Sequence, residues 1–474
     1  MKNEANGNLP LSMKLSYGMA GFGKDLSGSL VMLYGMFYFT DILGISPAFV
    51  GTLLLVARFW DAVNDPLMGI LLDKTKTRFG RIRPWLFGGA LCNTILIIAI
   101  FHAHLLEGPW LYAYISITYI LWGMAYTAAE IPFWCIIPNA AKTDKQKASL
   151  LIWPRSMVST AWLVMGSFFF VGVDYFGQGS QEKGFTTLAT VAAIFSLLSV
   201  MTLIFNYKEK SSKEQATDKK HPQSLKEFWN VLKSNDQLLV IFIALCFFWN
   251  LVNTVLYFAI YYFTYVVESK ELYTTFMLVA GITEVVAVVL FPILAKKFSR
   301  EILIKVTYIL PIIGIALLAY SSFFALHNIW LIAIGSILVR TGHGFMLVLV
   351  MMMLGDCIDY GQFKTGKRTE GVVMATYPMQ FKIGNTVMGF IMGLLLSFSG
   401  YIPNVAQSPE TIGYMRFLFL VFPIIMVAIS YFIYTRFYKL KGDYLIKMKA
   451  KLELQNNKIE IEEETEPKEI LVTN

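Results

Sequence analysis

Two carboxylates inside an apolar stretch are the first chemical feature of this 474-residue sequence. Asp61 and Asp65 lie four residues apart, so they share one face of a helix, and Asn64 flanks them. Thr127 supplies a further oxygen from a later apolar stretch. Two carboxylates in a medium of low dielectric constant repel each other, and binding of a cation or a proton relieves that repulsion. The four residues predict a site for a monovalent cation (Na⁺, Li⁺ or H⁺) at Asp61 and Asp65.

A simpler interpretation of the same carboxylates is charge neutralisation. Asp61 lies three residues after Arg58, and Lys382 is a basic residue in a later apolar stretch. Either base paired with Asp61 would neutralise its charge without any bound cation. Four oxygen ligands on two helices exceed what such a pair needs, so the cation site is favoured. Arg58 and Lys382 are assigned to coupling or to the cavity.

A second group of residues has the chemistry of sugar recognition. Its members are polar or aromatic residues in apolar stretches: Lys24, Asp25, Tyr126, Glu130, Trp134 and Arg155. Tyr126, Glu130 and Trp134 recur every four residues and therefore line one helix face. Carboxylate and guanidinium groups make bidentate hydrogen bonds, and an indole ring packs on an apolar surface. The group predicts a polyhydroxylated, mostly neutral substrate. A salt-bridge network around Arg155 is the alternative, and both readings are compatible.

The elements that carry these residues are apolar helices. The hydrophobic fraction is 56%, the mean hydropathy is +0.56 and charged residues make up 15%, against about 25% in soluble proteins. A membrane-spanning helix needs roughly 20 apolar residues. Twelve segments meet this requirement, at 15–39, 48–72, 85–104, 110–137, 150–174, 185–206, 237–266, 273–295, 303–325, 328–354, 372–398 and 411–436. The predicted fold class is an all-α polytopic membrane protein with twelve transmembrane helices.

Basic residues in alternate connections predict the orientation of the chain. The second, fourth, eighth and tenth connections carry Lys74, Lys76, Arg78, Arg81, Arg83, Lys142, Lys145, Lys147, Lys296, Lys297, Arg300, Lys305, Lys364, Lys367 and Arg368. The opposite connections carry Lys183 and Lys270. Lys and Arg are retained on the cytoplasmic side of membranes. Both termini are therefore predicted to be cytoplasmic, in a multi-pass protein of the cell inner membrane. The net charge of +8 needs no nucleic-acid partner.

The polar interruptions divide the chain. Residues 1–206 form a first six-helix bundle with the cation site and most of the sugar site, 207–236 a cytoplasmic linker, and 237–440 a second bundle. Residues 224–232 are predicted to form a short surface helix within the linker. The polar residues of 441–474 predict a solvated, partly disordered cytoplasmic tail. Six plus six helices around a central cytoplasmic linker is the layout of the major facilitator fold.

Several longer stretches resemble the glycoside–pentoside–hexuronide:cation symporters, and most of all the melibiose permeases. The resemblance covers essentially the whole chain. It is carried by KLSYGMAGFGKD (14–25), ARFWDAVNDPLMG (57–69), DKTKTRFGRIRPW (73–85), GMAYTAAEIPFW (123–134), PRS (154–156), DCIDYGQ (356–362) and Lys382. The loop GQFKTGKRTEG (361–371) is more similar to that of the pentoside- and glucuronide-type members.

The resemblance implies roles for the two groups of residues. By position, Asp61, Asn64, Asp65 and Thr127 bind the coupling cation. Lys24, Asp25, Tyr126, Glu130, Trp134 and Arg155 contact the sugar. Glu130 departs from the melibiose permeases, which have Asp there, and the longer side chain changes the reach of the carboxylate. A sugar and the lipid bilayer are the expected partners of a monomer, and no cofactor is expected beyond the coupling cation.

The predicted function is cation-coupled symport of a glycoside or small oligosaccharide by alternating access. Symport of a pentoside or hexuronide (a xyloside or glucuronide) is the alternative within the same class. A membrane-embedded enzyme acting on lipid-linked sugar is the alternative from a different class. The sequence has paired carboxylates but no metal-ligating His cluster, no nucleophile elbow and no P-loop, so no catalytic residue is assigned and a transporter is favoured over an enzyme.

Charges near the helix ends and in the second half are assigned to gating or structure. Asp356 and Asp359 are predicted to pair with Arg81 or Arg83 when the cytoplasmic ends of the two halves close. Structural or gating roles are also expected for three residues of the second half, Glu284, Arg340 and His343.

Overall fold

A computed structural model describes residues 9–141, 144–207, 209, 225–366 and 369–465. This part of the chain is helical and contains no strand. Its helices are α1 (Leu11–Phe37), α2 (Pro47–Lys74), α3 (Ile82–Phe101), α4 (Pro109–Ala140), α5 (Asp144–Gly177), α6 (Gln181–Asn206), α7 (Leu225–Ser234), α8 (Asp236–Tyr262), α9 (Lys270–Ala295), α10 (Arg300–Phe324), α11 (Ile329–Thr365), α12 (Glu370–Phe398), α13 (Pro409–Arg416), α14 (Phe422–Phe437) and α15 (Gly442–Thr465). Three π-helical turns, Tyr38–Ile42, Phe263–Val267 and Phe417–Val421, continue α1, α8 and α13.

Nine helices within the described residues are long and apolar enough to cross a membrane. They are α3, α4, α5, α6, α8, α9, α10, α11 and the combined segment Pro409–Phe437. An all-α, multi-pass membrane protein is thereby confirmed. Helices α1, α2 and α12 cover the other three predicted spans and carry most of the charged residues assigned to the site. That these three also cross the bilayer stays a prediction.

Short polar residues and glycine set the helix ends. The side chains of Ser180, Ser269, Ser299 and Ser408 accept hydrogen bonds from backbone N–H groups in the first turns of α6, α9, α10 and α13. Such a cap contributes about 1 kcal/mol to helix stability. At the other terminus, Gly366 ends α11 with a φ of 71°, a left-handed conformation that glycine adopts without strain. Helix α11 thus extends past the predicted end at residue 354.

The long helices alternate in direction, so their connections gather at two ends of the molecule. Helix α2 begins just after Asp41 and ends just before Arg81. We call these the Asp41 end and the Arg81 end. The Asp41 end includes the connections 38–46, 263–269 and 399–408, and the Arg81 end includes 75–81, 296–299 and 438–441.

The first and last groups of helices are bonded together at the Asp41 end. The buried Asp41 carboxylate accepts hydrogen bonds from Tyr265 and, at 2.5 Å, from Tyr401. Thr40 also donates to it at 2.6 Å, and the Thr40 hydroxyl lies 2.9 Å from that of Tyr261. We call these five residues the Asp41 latch. Because Thr40 and Asp41 follow α1 while the tyrosines belong to the last helices, the latch joins residues far apart in sequence. The amino-acid pattern around Asp41 does not predict this contact.

Close helix contacts continue inward from the latch. A Cβ atom on Gly393 of α12 would lie 2.5 Å from the Pro47 carbonyl oxygen and 2.7 Å from Gly51 Cα of α2. Two backbones that approach this closely leave no room for a side chain. Helices α5 and α9 also pack on each other there, with Met277 against Gly166.

The same two helices separate toward the Arg81 end. Gly69 of α2 is eighteen residues after Gly51, which is five turns of helix, so both glycines lie on the same face. A Cβ on Gly51 would meet Gly393 Cα at 3.0 Å, whereas a Cβ on Gly69 would meet nothing within 4 Å. The neighbouring Leu67 and Ile70 are exposed. The molecule is therefore tightly closed at the Asp41 end and open between α2 and α12 at the Arg81 end.

Two polar segments outside the spans are helical. Helix α7 confirms the short helix predicted for the linker, except for residue 224, which lies outside the described residues. Helix α15 differs from the solvated tail that was predicted: Met448 and Leu452 are buried one turn apart, and Lys449 reaches Asp356 at 2.7 Å. This face packs the start of the tail against α11. Residues 466–474 of the predicted tail lie outside the described residues.

Candidate functional site

Helices α2, α4 and α12 meet at Asp65. Its Oδ1 atom accepts a 2.9 Å hydrogen bond from Thr127 of α4, and its Oδ2 atom forms an ion pair with the Lys382 ammonium of α12. The Asp65 side chain is 27% exposed and that of Lys382 is 44% exposed, so water reaches the pair. A basic residue of the last helices thus neutralises a predicted cation ligand of the first.

Asp61 has a different environment one turn earlier on α2. It is buried, and its Oδ2 atom lies 2.8 Å from Nη1 of Arg58. Its Oδ1 atom would be 3.0 Å from a Cβ atom on Gly123, so glycine lets α4 approach the carboxylate. The Nδ2 atom of Asn64 is buried without a hydrogen-bond partner among the described residues.

The predicted cation ligands are thus only partly assembled. Asp65 and Thr127 are in contact, as the cation site requires, while Asp61 is paired with Arg58, as the simpler interpretation proposed. Lys382 pairs with Asp65, not with Asp61. The atoms available to bind a cation are carboxylate, hydroxyl and amide oxygens, which are suited to hard cations. Within the described residues, no group of three or more His, Cys, Asp or Glu side chains is arranged to hold a metal ion.

Lys24 organises the predicted sugar group. It is fully enclosed, with 2% of its side chain exposed, and its Nζ atom lies 2.8 Å from Asp25. The same ammonium is paired with Glu130 of α4 and donates to the Tyr126 hydroxyl at 3.3 Å. One ammonium therefore holds the carboxylates of α1 and α4 in fixed positions. Without it, two carboxylates this close together would repel each other.

Trp134 and Arg155 extend this network toward the open side. The indole N–H of Trp134 donates to Glu130 at 2.7 Å, and the Arg155 guanidinium lies 4.8 Å from the Trp134 ring centre. Arg155 itself is exposed. The salt-bridge network considered for this group therefore exists, but it is centred on Lys24 and not on Arg155.

Trp162 is a member of this group that the sequence analysis missed. Its indole N–H donates to Asp25 at 3.2 Å. Trp162 follows Arg155 by seven residues, which places both on one face of α5. That spacing was the available signal. It was overlooked because a tryptophan in an apolar span is also an ordinary packing residue.

The predicted gating residues lie at the Arg81 end. The Arg81 backbone N–H donates to Glu209 at 2.9 Å, and Arg83 lies in the first turn of α3. Asp356 is paired with Arg300 and with Lys449, and Asp359 lies 3.9 Å from Lys449. In this conformation Asp356 is therefore paired within the last helices. The pairing of Asp356 and Asp359 with Arg81 or Arg83, in a state that is closed at the Arg81 end, stays a prediction.

A small cavity lies between the first and last helices, next to Arg58. Its volume is about 50 Å³. Arg58, Tyr119, Tyr257 and Met392 are among its lining residues. The Arg58 side chain therefore borders a small, mainly apolar space at the junction of the first and last helices.

Apolar spans, buried ion pairs in their interiors and a molecule open at one end together define a multi-pass membrane transporter. The family pattern described as "MFS/sugar transport protein" matches residues 16–442. The chain belongs to this sugar-transport family of the major facilitator superfamily, as the sequence resemblance indicated. It is a transporter and not an enzyme, so the alternative of a membrane-embedded enzyme is wrong.

Individual relatives agree with this assignment. The isoprimeverose transporter of Lactiplantibacillus pentosus is 30% identical over 89% of this chain and 87% of its own length. A putative glycoside/cation symporter of Escherichia coli, YagG, is 28% identical over 91% of this chain and 92% of its own length. The crystal structure of a D-xylose–proton symporter has a TM-score of 0.63 at 16% identity and covers 90% of this chain and 97% of that one. At this identity the structural match concerns the fold.

Proposed function

We propose that this protein is a secondary active transporter that couples inward movement of a glycoside or small oligosaccharide to a cation, Na⁺, Li⁺ or H⁺. The proposal agrees with relatives named as an isoprimeverose transporter and a glycoside/cation symporter. Residues 1–206 and 237–440 form the two halves that rock about the substrate. The Arg81 end, where the basic connections lie, is the cytoplasmic end, and both termini lie on that side.

The sugar site is the surface formed by Asp25, Glu130, Trp134 and Arg155. Carboxylate oxygens accept hydrogen bonds from sugar hydroxyls, the guanidinium donates to them, and the indole packs on the apolar face of the ring. Lys24 keeps the two carboxylates in position before the sugar arrives, because it already pairs with both. Preorganisation of this kind lowers the entropic cost of binding.

The ion pair between Lys382 and Asp65 is the observation that carries the coupling mechanism. The ammonium of Lys382 and a transported cation compete for the same carboxylate. A cation that binds Asp65, Thr127 and Asn64 displaces Lys382 and thereby releases a bond between α2 and α12. Cation binding is thus linked to the contact between the two halves, and by reciprocity sugar binding and cation binding favour each other.

Replacement of Asp65 tests this mechanism. In Asp65→Cys, concentrative uptake should be abolished, while exchange of sugar across the membrane and some sugar binding persist, because the Lys24 network is intact. The measurement is uptake of a panel of labelled glycosides in a transport-deficient cell, with Na⁺, Li⁺ and pH varied. Asp174→Asn is the matched control, since Asp174 is an exposed carboxylate far from the site. Accumulation with normal cation dependence in Asp65→Cys would exclude the proposed coupling site.

Arg155 supports a second candidate substrate, a hexuronide. Its guanidinium is exposed and is placed by the Trp134 ring. A uronate carboxylate would form a bidentate pair with such a group. The same panel separates the two candidates, because uptake of a glucuronide in preference to neutral disaccharides would favour the hexuronide over the neutral glycoside. A xyloside is the pentoside member of the panel.

A further inference from the structure

A polar cluster in the last helices lies outside the groups described so far. Glu284 of α9 accepts hydrogen bonds on its Oε2 atom from Arg340 at 3.1 Å and from Nδ1 of His343 at 2.9 Å, both on α11. Arg340 and His343 are buried, whereas the Glu284 side chain is 28% exposed. We call these three residues the Glu284 cluster. The two donors fix the carboxylate, and its exposed part faces away from them.

The cluster has hydrogen-bonding capacity that the protein leaves unused. The Nε2 atom of His343 and the Nε atom of Arg340 are buried without partners in the part of the chain that the structure describes. The Oε1 atom of Glu284 receives no hydrogen bond from the described residues either, since both donors reach Oε2. Groups that serve only to neutralise one another are normally saturated when buried. Spare capacity beside an exposed carboxylate oxygen indicates a ligand.

The packing of α5 on α9 places this carboxylate near the sugar site. Leu163 fills the space beside Gly281, and Met277 fills the space beside Gly166, so the helices run antiparallel. Glu284 lies about one turn beyond Gly281, and Arg155 lies about two turns beyond Leu163 in the same direction. Along the helix axes the two residues therefore differ by about five residues, ~7.5 Å. They lie at neighbouring levels of two packed helices.

Tyr377 of α12 lies close to the Glu284 cluster. Its hydroxyl lies within the electrostatic reach of both Arg155 and Glu284. The ring is 6.3 Å from that of the buried Trp249, which in turn contacts His343 at 5.6 Å between ring centres. Tyr377 is only partly buried. A partly buried aromatic side chain with a hydroxyl group therefore lies beside the Glu284 cluster, under the electrostatic influence of Arg155 as well.

We propose that Glu284, held by Arg340 and His343, and Tyr377 form a second sugar subsite. The Lys24 network and Trp134 bind the first sugar ring, and the second-half subsite accepts hydroxyl hydrogens of a second ring linked to it. The substrate class is then a two-ring glycoside rather than a monosaccharide glycoside. This inference rests on the proposed function. It also gives the rocking motion a cause, since only a two-ring substrate contacts both halves.

The test compares one-ring and two-ring probes on purified full-length protein in proteoliposomes. The pairs are isoprimeverose with methyl α-D-xylopyranoside, and melibiose with methyl α-D-galactopyranoside. In Glu284→Gln, the Kd of the bound disaccharide should rise about tenfold, the usual effect of losing a hydrogen bond to a charged group. The Kd of the matching methyl glycoside should stay within about twofold. Tyr377→Phe, which removes only the hydroxyl, should weaken disaccharide binding in the same selective way.

The controls separate a subsite from a structural role. Glu271→Gln changes an exposed carboxylate at the start of the same helix and should alter neither probe. Equal weakening of both probes in Glu284→Gln, or a wild type that binds the methyl glycoside as tightly as the disaccharide, would overturn the subsite. A wild type that neither binds nor transports any glycoside of the panel would overturn the proposed function itself, and with it the subsite.

Discussion

Two glycines on the same face of helix α2, one near each end, have opposite environments. Near the Asp41 end, Gly51 is packed so closely on Gly393 that no side chain fits between them. Near the Arg81 end, Gly69 on the same face has open space around it. The residue type is the same at both positions, so the difference comes from the arrangement of the two halves. Between these two ends, the Asp65–Lys382 pair connects α2 to α12.

The bonds at the two ends also differ in kind. The Asp41 latch connects the halves through hydroxyl groups and one carboxylate, without a basic partner among its members. At the Arg81 end, the charged groups pair inside one half, as Asp356 does with Arg300 and Lys449. Hydroxyl–carboxylate bonds exchange with bonds to water, so each contributes a net free energy of only about 1.5–3 kcal/mol. The latch is therefore suited to opening and closing in every cycle.

A side chain at position 393 should have the largest effect on the closed Asp41 end. In Gly393→Val, the new side chain would overlap the Pro47 carbonyl and Gly51, so the closed Asp41 end cannot form. Overpacking costs about 1–3 kcal/mol, which corresponds to a factor of roughly 5 to 150. Because the new side chain would meet backbone atoms, we expect initial glycoside uptake to fall by about 150-fold, the upper end of this range. Gly69→Val, on the same face of α2 as Gly51, adds the same side chain to a position that is open in this conformation, so it should reduce uptake much less than Gly393→Val. Similar losses in both variants would refute the asymmetry.

Removal of the Asp41 charge should have an intermediate effect. Asp41→Asn keeps a carbonyl oxygen but weakens the hydrogen bonds from Tyr265 and Tyr401. A loss of about 1–2 kcal/mol in the closed Asp41 end corresponds to a roughly 5- to 30-fold shift toward the state open at that end. Initial uptake should fall by a similar factor, while equilibrium sugar binding in detergent is retained. An unchanged uptake rate would show that the latch does not hold the closed state.

The exposed ion pair at the same end should matter least. Lys270 lies 2.8 Å from Asp174, and both side chains are largely exposed. Pairs of this type contribute about 0–1 kcal/mol and are screened by salt. Uptake by Lys270→Gln should therefore stay within about twofold of the wild type at physiological ionic strength. A larger loss would mean that surface charge, and not the buried latch, closes this end.

Much of this architecture follows from the amino-acid pattern, because charges inside apolar helices are few and costly. Lys24, Asp25 and Glu130 were grouped from the sequence, and the structure brings them into contact. Their partners were harder to predict, since helix periodicity gives a face but not the helix opposite. Lys382 was considered as a partner of Asp61, and in the structure it pairs with Asp65, one turn further along α2.

The missed features share a physical cause. Asp41 lies at the end of a span, where a carboxylate is ordinarily solvated, and only the approach of distant tyrosines buries it. In α15, Met448 and Leu452 are two apolar residues in a strongly polar segment. Their burial depends on the surface of α11, which local sequence does not reveal. Tertiary contacts, not local pattern, decide both cases.

The pairing of interior charges has an electrical consequence. Lys24, Arg58, Arg155, Arg340 and Lys382 are matched in number by Asp25, Asp61, Asp65, Glu130 and Glu284. Displacing one elementary charge through a membrane potential of 100 mV involves work of about 2.3 kcal/mol. An ion pair that moves as a unit has no net charge and involves almost none of this work. Over a complete cycle the protein's own charges return to their starting positions, so each turnover with a neutral glycoside carries one charge inward per cation.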